Sequence, residues 1–294
     1  MKKIRSILVA LSHDERAPKA IARAVAIARA LGARVDLFVC ESERAYFLQH
    51  EYDRRSASAA RQSCMQEALR SLDGLWSAHG APDVAVTFDA ACESPLYQGI
   101  VHKVQQAGSD LVLRPIRELD GNQGRALDAS DWELVRTCPA PLLLARGRHW
   151  SNHAAIAAAV DISGDERADI TQAVIGAAEL FRERFAGTLE LLYGAAGATG
   201  AETSAAKETP FDLLARRARE AGAHPTQLHV VVGDTAQVLP GFAAARHYEL
   251  MVLGALAHRE SLTALVGTFT GRLLEMLDCD FLLVKPAGYR SPVA

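Results

Sequence analysis

Short, almost wholly apolar runs alternate with stretches of helical periodicity along the whole chain. Residues 6–11, 35–40, 110–113 and 142–145 make one set of runs, and residues 156–160, 189–193, 228–232, 250–253 and 281–284 make another. Continuous runs of this length predict strands buried on both faces, the mark of a parallel sheet. Residues 84–88 alternate instead and predict a strand with one open face. After Asp14 and Pro18, Ile21, Val25 and Ala28 share one helical face, and Gly32 closes that helix. A long helix is expected over 61–79, where Cys64, Ala68, Leu72 and Leu75 recur at helical spacing before Gly80 and Pro82. The polar and aromatic stretch 42–61 before it reads as an irregular or helical lid. Further helices are predicted over 95–107, 132–136, 170–185, 211–221, 238–246 and 268–277.

The order then repeats. Strand 156–160 followed by Asp161 matches strand 7–11 followed by Ser12, and residues 248–253 hold the place of 109–114. Gly147 to His153 reads as a linker, which sets domains at 1–147 and 154–294 and fits a length of 294 residues. The fold class is therefore α/β, with two tandem doubly wound parallel sheets and helices on both faces of each. Such sheets bind ligands outside the carboxyl ends of their strands, where strand order reverses. Asp161, after the first strand of the second half, and Gly254, after its fourth, are expected to meet there.

Composition narrows the partners. Hydrophobic residues make up 49%, charged residues 23%, and the formal net charge is −3. That charge gives no reason to expect nucleic acid. The basic start and run 7–11 are too short for a signal peptide, and no run approaches the roughly 20 apolar residues of a membrane span. A soluble, cytoplasmic protein without membrane insertion is expected. The five cysteines, Cys40, Cys64, Cys92, Cys138 and Cys279, lack zinc-ligand spacing and predict reduced, mostly buried thiols. His149 and His153 stand four apart without a carboxylate or cysteine to join them, so no metal site is expected.

Candidate chemistry concentrates between Glu249 and Pro286. Gly254 lets the backbone leave a strand tip with no side chain in the way. Gly267 and Thr268 stand where a helix begins, so free N–H groups and a hydroxyl converge on one spot, as an anion requires. Ala257 lies between them, and a turn needing φ > 0 there costs alanine about 1 kcal/mol or more. His258, Arg259 and Arg272 could add positive charge, or serve only as solvated surface charges. In the first half Ser12 replaces the aspartate, Pro115 stands in place of Gly254, and Asp128 and Asp131 flank the helix start, where they would repel phosphate. No P-loop, nucleophile elbow or His-Glu-x-x-His motif occurs.

Taken together, Gly254, Gly267-Thr268 and Thr270 resemble the nucleotide-binding signature of the universal stress protein family, Gly-x2-Gly-x9-Gly-Ser/Thr, with Ala257 at the second glycine. The duplication resembles the family's tandem type over essentially the whole chain. The resemblance implies strand order 3-2-1-4-5 in each domain. It also implies pairing at the fifth strands, an internal pseudo-dimer to which a homodimer of chains can be added. It assigns Asp161 to adenine, Gly254 to ribose and phosphate, and Gly267, Thr268 and Thr270 to the phosphates of ATP or a related nucleotide, bound with Mg2+ in the second domain only. The implied function is a cytoplasmic stress response in which the nucleotide is a regulatory ligand that orders residues 255–266 for an unknown protein partner. No enzyme activity is expected beyond slow ATP hydrolysis. A second reading stays open: an interaction or scaffold protein with degenerate clefts and a lipid-like small ligand, favoured by Leu256, Leu262 and Leu265.

Overall fold

The apolar runs fold as parallel strands. The computed structural model describes residues 3–51, 54–118, 127–162, 168–195, 208–255 and 268–293. The chain forms two compact units, one of Lys2–His149 with Arg290–Ala294, the other of Trp150–Tyr289. The end of the chain thus belongs to the first unit, where Gln105 Nε2 donates to the Val293 carbonyl at 3.0 Å.

In the first unit, β1 (Ser6–Leu11) leads through α1 (Ala17–Leu31) to β2 (Arg34–Cys40). Then come α2 (Ser42–Glu51), α3 (Arg54–His79), β3 (Val86–Ala91), α4 (Leu96–Ala107), β4 (Leu111–Pro115), α5 (Ala129–Thr137) and β5 (Leu142–Ala145). The strands lie in the order β3-β2-β1-β4-β5. The pairs are parallel throughout. Gly32 closes α1 at φ 64°, a left-handed turn that glycine enters without a Cβ penalty.

The second unit repeats the plan with β6 (Ala155–Ala159), α6 (Ala168–Arg184), β7 (Thr188–Ala195), α7 (Pro210–Glu220) and β8 (Gln227–Val232). It continues through α8 (Thr235–Ala244), β9 (Leu250–Gly254), α9 (Thr268–Met276) and β10 (Asp280–Val284). Its order is β8-β7-β6-β9-β10, again parallel. Each unit therefore has the expected 3-2-1-4-5 winding. Side chains of the central strands are almost wholly buried: Ile7, Leu8 and Val9 in one unit, Ile156, Ala157 and Ala158 in the other. Among the described residues no helix is long and apolar enough to cross a membrane.

The observed elements differ from the sequence pattern at their ends. The long helix starts at Arg54, not at residue 61, because Ala57, Ala59 and Ala60 favour helix while burying little. α8 starts at Thr235 and carries Pro240 inside it, so the first turn precedes the apolar stretch that suggested a start at 238. β4 runs on through Arg114 to Pro115.

A carboxylate pins the central pair in each unit. Asp110, just before β4, accepts from Arg5 N at 2.9 Å, Ser6 N at 3.2 Å and Ser6 Oγ at 3.3 Å at the start of β1. Glu249, just before β9, accepts from the Ser151 amide, from Ser151 Oγ at 2.9 Å and from Ala155 N at 2.8 Å at the start of β6. Glu249→Ala should destabilise the protein by about 1–3 kcal/mol, as losing hydrogen bonds to a charged acceptor does. Urea unfolding followed by circular dichroism measures it, and an unchanged midpoint would count against the staple.

Candidate functional site

The order of strands reverses between β6 and β9 in the second unit. Ala159 is level with Leu253 across that pair, so Val160 comes level with Gly254 and Asp161 lies just beyond, at the carboxyl edge. The winding thus brings Asp161 and Gly254 together, as their positions after the first and fourth strands predicted. Asp161 is half-buried. Its backbone carbonyl accepts from Thr171 Oγ1 at 2.7 Å, which ties the strand tip to α6.

Sequence reasoning missed Tyr193. Leu192 on β7 is level with Ala159, which sets Tyr193 beside Val160 at the same edge. Burial, and then the negative charge of Asp161, hold the Tyr193 hydroxyl above its ordinary value. An aromatic residue closing the apolar run 189–193 was the available signal.

Gly254 has a packing reason to be glycine. A Cβ there would stand 2.9 Å from Ile170 Cγ1 and 3.7 Å from Val174 Cγ2, so α6 already occupies the space that the missing side chain leaves. The chain stays in the ladder one residue further, with Ala255 N donating to the Val284 carbonyl at 2.8 Å. Thr268 opens α9. Thr270, two residues on, is 8% exposed and shares the buried stripe of Leu273, Leu274 and Leu277. Ala257 and Gly267 lie outside the described residues, as do His258, Arg259, Leu256, Leu262 and Leu265.

The first unit fills the equivalent corner with its own side chains. Arg114, which follows the Val9–Leu113 pair on β4, is 1% exposed. Its Nε donates to Asp131 Oδ1 at 3.0 Å, and its Nη1 donates to the Ala10 carbonyl at 3.2 Å and to Ser12 Oγ at 2.8 Å. Asp128 caps α5 and Asp131 closes the capping box, accepting from Asp128 N at 3.2 Å. The helix terminus that could otherwise face an anion is neutralised from within. Burial raises the Asp131 carboxyl, and the charge of Arg114 opposes that rise. At the mouth, Arg16 donates to Asp14 through Nε at 3.1 Å and Nη2 at 2.5 Å, and to the Pro115 carbonyl at 3.3 Å. Burial works against the charge of Asp14, but its bonds to Arg16 outweigh burial and hold the carboxyl below its ordinary value.

Comparison with known proteins bears on both units. The model of the family described as "Universal stress protein family" matches residues 3–146 and 153–285. "Universal stress protein E" of Escherichia coli (strain K12) is 22% identical over 100% of this chain and 98% of its own length. The homologue of that protein in Haemophilus influenzae is 22% identical over 97% of this chain and 98% of its own. The crystal structure of a universal stress protein from Archaeoglobus fulgidus superposes with a TM-score of 0.68 at 10% identity, covering 96% of this chain and 97% of that one.

Arg114→Met leaves a buried carboxylate alone and should cost about 3–5 kcal/mol. Adding Asp131→Thr, which installs the residue type of the corresponding place in the second unit, should recover most of that loss; denaturant titration of both variants reads it. Asp14 follows a different rule. Its folded value lies below the ordinary 3.8, so its contribution is complete above that pH and fades as pH falls through the folded value. Asp14→Asn should therefore lower stability at neutral pH, with the gap to the parent closing only on strong acidification. A gap that widens in acid would reverse the assigned sign.

Proposed function

The chain belongs to the universal stress protein family, and on that footing we propose that its second unit binds ATP, or another adenine nucleotide, as a regulatory ligand. The observation that carries this reading is the register of β6 against β9, which sets a carboxylate at the point of strand reversal where doubly wound sheets take ligands. Asp161 offers an acceptor for the exocyclic amine of adenine, and Tyr193 gives the base an aromatic surface beside it. The start of α9 at Thr268 supplies backbone donors for phosphate, whose charge bound Mg2+ would offset. The first unit, closed by Arg114 and its partners, takes no nucleotide. The role is binding in a cytoplasmic stress response, with hydrolysis at most slow.

A second reading draws on two observations. Gly254 is accounted for by packing against Ile170, and Thr270 sits on a buried stripe, so neither residue needs a phosphate to explain it. In that reading the protein is an interaction partner whose cleft takes a small apolar ligand or stays empty.

Titration of the whole protein with ATP and magnesium separates the two. The nucleotide reading expects a Kd in the micromolar range, about −8 kcal/mol. It expects Asp161→Ala to weaken adenine nucleotides about tenfold, close to 1.4 kcal/mol, with little effect on guanine nucleotides. It also expects Gly267→Asp to abolish binding through charge repulsion. A protein purified without nucleotide and indifferent to ATP would favour the second reading.

A further inference from the structure

The second unit ends in an open strand. β8 is the last in its order and pairs with β7 along one edge; among the described residues no strand lies against the other. Gly233 N donates to the Ala195 carbonyl at 2.9 Å. Alternation back along the strand then turns the amides and carbonyls of Leu228, Val230 and Val232 to the open side. Side chains alternate too. His229 bonds Glu190 Oε2 at 2.8 Å, and its ring lies 5.0 Å from that of Phe242, so the odd-numbered residues face α8. Leu228, Val230 and Val232 take the opposite face. The first two are half-buried there, and Val232 is 65% exposed.

An open edge is a template for another strand, and proteins ordinarily blunt it with charge or proline. β3, the matching edge of the first unit, carries Asp89, which accepts from Lys103 Nζ at 2.5 Å. β8 reads QLHVVV, with no carboxylate, lysine, arginine or proline. Its sequence is also complementary to itself. Antiparallel pairing about a two-fold axis at Val230 sets that residue against its own copy, Leu228 against Val232, and His229 against Val231. Gln227 then meets Gly233, and Asp234, the first charge after the strand, meets Thr226. Like charges oppose each other at none of these positions, and the outward amides of each copy reach the outward carbonyls of the other.

We propose that β8 is a self-association edge at which a second copy of this chain pairs, joining the two second units into one sheet that runs across a two-fold axis. Self-complementarity selects the second copy as occupant. Each strand offers the other the donors, acceptors and apolar face that it lacks itself, and the pair closes with no open edge left at β8. This edge stands at the far end of the strand order from β10, the fifth strand, to which the family resemblance assigns pairing.

Analytical ultracentrifugation of the full chain, 31.6 kDa, tests this pairing. The mass should rise with concentration to that of two chains, and amide hydrogen exchange over residues 227–232 should slow as it does. Val230→Lys places like charges together on the axis and should weaken the dimer about 100-fold, as should Val230→Asp. An equimolar mixture of the two variants should pair again. A mass that stays at one chain at every concentration would overturn the proposal. So would a dimer that Val230→Lys leaves intact, or a mixture of the variants that stays monomeric. Exchange in the parent protein decides the matter where a variant does not fold, since equal rates over residues 227–232 in dilute and concentrated protein also count against the pairing.

Discussion

Parallel pairing of the first and fourth strands is the constraint from which the rest of each unit follows. Neighbouring parallel strands cannot be joined by a tight turn, so every connection must cross the sheet and return, as a helix does. Winding outward from β1 to β2 and β3, then back to β4, leaves the tips of β1 and β4 side by side with the crossovers diverging from them. The same holds for β6 and β9. The position of the cleft is thus fixed by chain connectivity before any site residue is chosen. Asp110 and Glu249 hold this pair at its other end, where they accept from the first amides of β1 and β6. One residue is an aspartate and the other a glutamate, which shows that the carboxylate matters more than its stem length.

The two units solve one electrostatic problem in opposite ways. A helix that starts at the carboxyl edge of the sheet presents unpaired N–H groups and partial positive charge. The first unit satisfies that end with Asp128 and Asp131 and balances the buried charge with Arg114, reached from β4. Such a pair returns little net stability, because desolvation consumes much of the attraction, yet breaking it is costly. Its consequence is specificity: the corner is full. In the second unit the place of Arg114 is held by Leu253 and that of Asp131 by Thr270, neither of which brings charge to the helix start.

Much of this was legible in the sequence, and the reasons for success and failure are physical. Strands buried on both faces must be apolar at every position, so their runs stood out and their order could be inferred from the repeat. Helix starts lay beyond the apolar pattern, as with Arg54 and Thr235, because exposed first turns leave no hydrophobic trace. Asp161 was legible as the polar residue that follows a run. Arg114 stood just beyond the run 110–113, where a charged residue gives no sign of the buried acceptors awaiting it. Spacing along the chain hid the nearness of Cys40 to Cys92, which the pairing of β2 with β3 creates in space.

The Arg114 corner belongs to the first unit, whose carboxyl edge is occupied by its own residues. In a duplicated chain the two copies of one winding can carry different side chains at the same corner. The winding does not forbid this, because it fixes where strand tips meet and leaves open which side chains they carry. The tip of β1 carries Ser12, bonded to Arg114, whereas the tip of β6 carries Asp161, whose charge bears on Tyr193. Divergence at such tips costs little in the core, since Ile7 to Val9 and Ile156 to Ala158 remain enclosed in either case. The stability of each sheet and the chemistry of its edge are therefore separable, and the duplication has separated them.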